Sequence, residues 1–248
     1  MKVMSAMLFV AILATLSTAA GAQTANRVQH TQALERYRAG QELLRSERFD
    51  KAAAEFSAAI ELDPLLALAH YGLGQSYMGL KRYASAIQAF SNCRETYRKI
   101  IGLRESNRRE AEQRIDDEIR EIQSTIVAVR SGRFKGYGDT KITELETRIE
   151  DLRRMREEHV TVFRPPAEVA LALGSAYFRN GDRALAEEEW KAATEINPRL
   201  GEAHNNLAVI YMMTNRLDLA EQEIKAAEKA GFRVNPQLKQ DVKNKKGS

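Results

Sequence analysis

The sequence predicts an all-α protein: two pairs of short helical hairpins, interrupted by one long antiparallel coiled-coil hairpin. Three observations carry this. Small and aromatic residues recur at a spacing of about 34 residues: Gly40 with Gly74, Ala52 with Ala86 and Phe56 with Phe90 in the first half, then Gly174 with Ala208, Tyr177 with Tyr211, Ala186 with Ala220 and Ala193 with Ala227 in the second. Between the halves, Ile115, Ile119, Ile122, Ile126 and Val129, and then Ile142, Leu145, Ile149, Leu152 and Met155, recur in steps of three and four. That is the period of a coiled-coil seam. Finally, only five prolines and 14 glycines occur in 248 residues, which leaves long stretches without helix breakers.

Residues 1–22 read as a secretory signal. Lys2 supplies the positive start, Val3 to Leu16 is largely apolar, and Ala20-Gly21-Ala22 offers a small-residue cleavage site before Gln23. The apolar run is shorter than the roughly 20 residues of a membrane-spanning helix. The expectation is therefore an exported chain with no membrane span after cleavage, a retained anchor being the alternative. The bacterial periplasm is the expected address, with secretion the other route. Residues 23–32 are polar, lack an apolar stripe and read as a flexible N-terminus.

Residues 33–99 hold the first two repeats. In repeat 1, Ala39, Gly40 and Leu43 face inward from the first helix, Ser46 to Asp50 turn the chain, and Ala52, Phe56 and Ala59 face inward from the second; Pro64 closes the unit. Repeat 2 places Leu73, Gly74, Tyr77, Ala86 and Phe90 in the same way. Cys93, the only cysteine, falls at the small-residue position held by Ala59, Ala193 and Ala227, so an inert packed thiol is expected, an intermolecular bridge being the alternative. No stop follows repeat 2. An insertion of about 66 residues precedes Pro165-Pro166.

Residues 100–164 are that insertion. The two seams flank Gly132, Gly136 and Gly138, which must reverse the chain. Arms of about 30 residues would project on the order of 45 Å from the repeats. Residues 165–235 hold repeats 3 and 4. In repeat 3, Leu173, Gly174 and Tyr177 precede the break at Asn180-Gly181-Asp182; Ala186, Trp190 and Ala193 then lie on one stripe until Asn197-Pro198. Repeat 4 follows with Leu207, Ala208, Tyr211, Ala220, Ile224 and Ala227. Residues 236–248 form a terminal helix, with Leu238 and Val242 shielding the last apolar face, and a basic tail.

These offsets of Leu-Gly, Tyr, Ala, Trp or Phe, Ala and Pro resemble the tetratricopeptide repeat family over roughly half of the chain. The resemblance implies a stack of helical hairpins that presents a surface to another protein or peptide. It also implies a groove lined by outward positions of each first helix: Tyr37, Arg38, Gln41, Leu44 and Arg45, then Tyr71, Gln75 and Met78, then Leu171, Ser175, Phe178, Arg179, Asn205, Asn206, Val209, Met212 and Met213. Aromatic, amide and methionine side chains suit an extended or helical peptide, although burial between neighbouring repeats accounts for such residues equally well. Of the carboxylate-clamp pattern of chaperone-binding members only Asn206 is present.

At the turn of the insertion, Arg133, Phe134, Lys135 and Tyr137 combine two cations with two aromatics, a candidate docking tip. No catalytic constellation is present: there is no zinc helix and no phosphate loop, and the four histidines are scattered, His70 and His204 at equivalent packing positions. No metal and no cofactor is implied. A formal charge of +4, with signs interspersed, does not call for nucleic acid. The expected function is that of a noncatalytic exported adaptor or scaffold that binds a protein segment in the repeat groove, with the coiled-coil arm as a second docking surface. The alternative is a structural protein whose arm drives homo-oligomerisation.

Overall fold

A computed structural model describes residues 27–106, 108–132, 139–157 and 165–247, which contain helices and no strand. The helices are α1 (27–45), α2 (Phe49–Leu62), α3 (Ala67–Gly79), α4 (Tyr83–Ser106), α5 (Arg108–Arg130), α6 (Asp139–Glu157), α7 (Ala167–Asn180), α8 (Arg183–Ile196), α9 (Gly201–Met213), α10 (Leu217–Lys229) and α11 (Pro236–Lys246).

Each repeat is closed by the same pair of devices. Glu47, Lys81, Gly181 and Asn215 all take positive φ, at 56°, 58°, 98° and 58°. One residue further on, the N–H groups of Arg48, Arg82, Asp182 and Arg216 donate to the carbonyls of Leu43, Tyr77, Tyr177 and Tyr211 at 2.8–2.9 Å. This is the left-handed helix cap that satisfies orphan carbonyls, and only at Gly181 does glycine occupy the left-handed position. Inside the first three hairpins an aromatic ring lies on a glycine. A Cβ at Gly74 would stand 2.5 Å from the Phe90 ring, one at Gly174 2.5 Å from the Trp190 indole, and one at Gly40 2.8 Å from the Phe56 ring. In repeat 4 the equivalent pair is Ala208 and Ile224, both buried, so a smaller second partner accompanies the larger first one.

Repeats 2 and 3 stack directly across the insertion. Ala86, Phe90, Cys93 and Tyr97 of α4 form one core cluster with Val169, Leu173 and Ala176 of α7, and Arg94 pairs with Glu189 of α8 at 2.7 Å. The four repeats are therefore one continuous array. Its end is covered by α11, whose Leu238 and Val242 are buried against α9 and α10; Asn235 caps that helix by accepting from the Gln237 N–H at 2.9 Å, with Pro236 in the first turn.

Within the insertion, α5 and α6 pack antiparallel: Arg130 meets Glu146 at 2.6 Å towards one end and Arg156 meets Asp116 at 2.8 Å towards the other. Between them Ile115, Ile119, Ile122 and Ile126 close on Ile149 and Leu152, flanked by Ile142, Leu145 and Met155. Burying each of these large aliphatic side chains contributes on the order of 2 kcal/mol.

The hairpin does not project, contrary to the expected 45 Å arm. It lies back along the first helices of the stack, because a second stripe on α5, running through Arg114, Asp117, Glu118 and Glu121, finds charged and hydroxyl partners on repeats 1 and 2. The expected flexible start needs the same correction: residues 27–32 are the first turns of α1, pinned there by His30.

Candidate functional site

α5 and α6 lie over the inner face of α1 and α3, the face expected to form a groove. Asp63, which follows the last turn of α2, accepts from His30 Nδ1 at 2.5 Å, from Arg114 Nη1 at 2.8 Å and from the Leu65 N–H at 3.0 Å. Burial alone would raise its carboxyl; these donors outweigh burial and hold it below the usual range. The second ring nitrogen of His30, Nε2, lies 2.7 Å from Asp117 of α5.

Further along, Arg38 Nε donates to Glu121 at 3.1 Å. The Tyr97 hydroxyl donates to Glu118 at 3.1 Å, and Arg148 of α6 donates to the same carboxylate at 2.9 Å while standing 5.6 Å over the Tyr97 ring. Charges that would be costly if buried singly are thus paired across the seam.

Between roof and groove lies a cavity of about 190 Å³. Tyr37, Gln41 and Arg45 line it from α1, Tyr71 and Gln75 from α3, Glu118, Glu121 and Thr125 from α5, Lys141, Glu144 and Arg148 from α6, and Glu168 from α7. Tyr37 packs its ring 5.8 Å from that of Phe56, and Gln41 Nε2 donates to its hydroxyl. Burial, and then the charges of Glu121 and Glu118, push the Tyr37 phenol up; burial, and then Glu168, do the same to Tyr71. Both hydroxyls remain neutral donors at any ordinary pH, suited to binding and unsuited to acid–base work.

Of the residues expected in this half of the groove, Tyr37, Gln41, Tyr71 and Gln75 line the cavity, Arg38 is engaged by Glu121, and Met78 packs into the core between α4 and α7.

In the second pair, Phe178 lies 5.6 Å from Trp190 and, with Met212, packs on the core of repeats 3 and 4; both stay half-buried. Asn205 donates to Asn206 at 3.5 Å, Arg179 is exposed, and Met213 retains 41% exposure. Arg133, Phe134, Lys135 and Tyr137 lie outside the described residues. His70 and His204 play the same packing part. Each points Nε2 at the carbonyl of the proline six residues earlier, Pro64 at 3.3 Å and Pro198 at 3.0 Å. Among the described residues no helix is long and apolar enough to cross a membrane.

The partners that hold the roof, His30, Asp63, Tyr97, Arg114, Asp117, Glu118, Glu121 and Arg148, were not in the expected site. The one signal for them is the spacing of Arg114, Asp117, Glu118, Glu121 and Thr125, a polar stripe beside the isoleucine stripe of α5. A solvated helix face has the same periodicity, so the pattern carries no sign of a partner.

A continuous stack of helical hairpins defines an α-helical repeat protein. Residues 37–92 and 171–232 match the tetratricopeptide repeat family. Repeats of this kind generally mediate protein–protein interaction. No curated protein matches the chain. Among solved structures, the chain is similar to TTC0263, a thermophilic TPR protein of Thermus thermophilus, with 18% identity, 87% of this chain and 100% of that one covered, and a TM-score of 0.36. It is also similar to PilW, a type IV pilus biogenesis factor, with 16% identity over 87% and 86% of the two chains and a TM-score of 0.40. A third is PilF of Pseudomonas aeruginosa, with 16% identity over 85% and 81% and a TM-score of 0.36.

Proposed function

We propose that the protein is an exported, noncatalytic adaptor that holds a segment of another protein in its repeat groove and uses the coiled-coil arm, through Arg133, Phe134, Lys135 and Tyr137, as a second docking surface. The observation that carries this reading is that the groove of repeats 1 and 2 has a helix seated in it, held through His30, Arg38 and Tyr97. The second pair presents the matching inner face of α7 and α9, where Phe178, Asn205, Asn206 and Met212 are half-buried and, among the described residues, none of them pairs with α5 or α6 in a hydrogen bond or ion pair. Half-buried aromatic, amide and thioether groups on one face suit a peptide whose backbone needs hydrogen bonds and whose side chains vary. The export signal in residues 1–22 supports an envelope or extracellular setting. Homo-oligomerisation through the arm is less favoured, since one flank of α5 is engaged by the repeats and its apolar stripe by α6.

The test is a photoreactive residue in place of Met212, activated in the native host. One protein should be captured, and Asn206→Ala or Phe178→Ala should abolish its capture, whereas a photoreactive residue in place of exposed Lys225 should capture nothing. Absence of any adduct at Met212 refutes binding at this face. For the tip, Phe134→Ser with Tyr137→Ser should lower recovery of that partner without lowering Tm; unchanged recovery removes the tip from the proposal.

A further inference from the structure

The inserted hairpin has two seams of different make-up. Between α5 and α6 the seam is apolar, closed by Ile115, Ile119, Ile122, Ile126, Ile149 and Leu152. Between α5 and the repeats it carries polar pairs, beside which Leu34, Leu65, Leu66 and Leu68 line a small cleft with Ile115. Arg114 meets Asp63 at 2.8 Å, His30 meets Asp117 at 2.7 Å, Tyr97 meets Glu118 at 3.1 Å and Arg38 meets Glu121, and the 190 Å³ cavity lies in the same seam. Parting the first seam would expose a hydrocarbon face to water. Parting the second exposes charges that water solvates and that contribute little net stability when paired. The hairpin is therefore built to leave the groove as one body, with its apolar seam intact.

What α5 shows the groove is also specific. Its groove-facing side carries carboxylates at Asp117, Glu118 and Glu121, with Arg114 three residues before the first. The groove answers with the imidazole of His30, the guanidinium of Arg38, a tyrosine hydroxyl at Tyr97 and one carboxylate at Asp63 placed for the arginine. The specificity lies in these polar pairs, and Leu34, Leu65, Leu66 and Leu68 line the groove beside them.

We propose that the groove of repeats 1 and 2 is a receptor for the acidic face of a helix in a partner protein, and that α5 is a resident copy of that ligand which the partner displaces. The partner presents carboxylates at positions i, i+1 and i+4 and a cation at i−3, on a helix whose apolar stripe is covered within the partner itself. This rests on the reading of the repeats as a protein-binding groove but concerns the first pair alone. Because a tethered resident competes at millimolar effective concentration or above, the native chain excludes weak ligands and admits those that match the pattern closely.

The probe is a fluorescent peptide of residues 112–129 held helical by a hydrocarbon staple in place of Ile115 and Ile119, titrated against the full chain. Asp117→Asn with Glu121→Gln weakens the resident and leaves the groove untouched, so it should tighten peptide binding at least tenfold over the native chain; adding Arg38→Glu should cancel the gain. Equal binding by native and double variant, or none by a folded double variant, overturns the proposal. Hydrogen exchange on the native chain provides a second measurement that needs no variant. Amides of α5 and α6 should open together, at a free energy below that of the repeats, and opening only with global unfolding overturns the proposal as well. Failure of capture at Met212 would leave both results standing, since that position belongs to the second pair.

Discussion

His30 and Asp117 are joined by a 2.7 Å hydrogen bond across 87 positions of sequence, and the other nitrogen of the same imidazole lies 2.5 Å from Asp63. One ring thereby ties the start of α1, the end of α2 and the middle of α5 into a single knot.

Removing that ring takes the imidazole away from two nearly buried carboxylates, with side chains 7% and 8% exposed. His30→Ala should lower stability by about 2–3 kcal/mol. Arg114 still serves Asp63 and Arg120 still reaches Asp117, so the loss falls on the tie between α1, α2 and α5 and should appear in urea titrations as a lower midpoint. A change within a few tenths of a kcal/mol would mean that the knot is not closed in solution.

The ring-on-glycine contacts predict a coupled pair. Gly74→Ala gains helix propensity of about 1 kcal/mol but drives a methyl to 2.5 Å from Phe90, and such overpacking costs about 1–3 kcal/mol. The net expectation is a lower Tm. Repeat 4 solves the same problem with Ala208 and Ile224. Adding Phe90→Ile to Gly74→Ala should then cost less than the sum of the two single changes, which a double-mutant cycle measures directly.

Backbone strain is left in the turns. Lys81 holds φ 58° where repeat 3 has Gly181 at φ 98°. A side chain in the left-handed region costs about 1–2 kcal/mol, partly offset by the freedom glycine loses on folding. Lys81→Gly should raise stability by about 0.5–1 kcal/mol, and Gly181→Ala, whose Cβ meets nothing within 4 Å, should lower it by about 1 kcal/mol through the backbone alone. Thermal melts of the two variants should shift in opposite directions.

Glu187 predicts an acid response in the second half of the array. The hydrogen bond from Arg216, reinforced by Lys191 and opposed by burial, lowers its carboxyl to about 2 from an ordinary 4.5. A folded-state value below the unfolded one means that the contribution is fully present above pH 4.5 and is lost as pH falls towards 2. Native protein should exceed Glu187→Gln in stability at pH 6, and the gap should close by pH 2. A gap independent of pH would place the effect in packing.

The repeats were legible because their chemistry is periodic and local. Gly74 and Phe90, Gly174 and Trp190, and the alanines at 52, 86, 186 and 220 each occupy positions that steric contact dictates, and a spacing in sequence becomes a spacing in space. The isoleucine seam of α5 was legible for the same reason. The destination of the hairpin was not. Asp117 and Glu121 sit at helical spacing beside that seam, as residues on any wet face do, and their partners His30 and Arg38 are more than 80 positions away with no periodic relation to them. His30 in particular stood in a polar stretch without an apolar stripe, and its role depends on three segments that only the folded chain brings together. Tyr37, Gln41, Tyr71 and Gln75, singled out by the repeat pattern, line the cavity, but the roof above it carries no signature of its own.

The direct contact of α4 with α7 gives the joint between repeats 2 and 3 an unusual freedom. Val169 and Leu173 rest on Phe90 and Tyr97 whatever the intervening chain does, so the two ends of the excursion are held in place by the stack. Closing a longer loop between fixed ends adds only about 0.6 kcal/mol for each doubling of its length. This joint is thus a socket: chain closure places little restriction on the length of the segment it carries, while the spine on either side keeps its register.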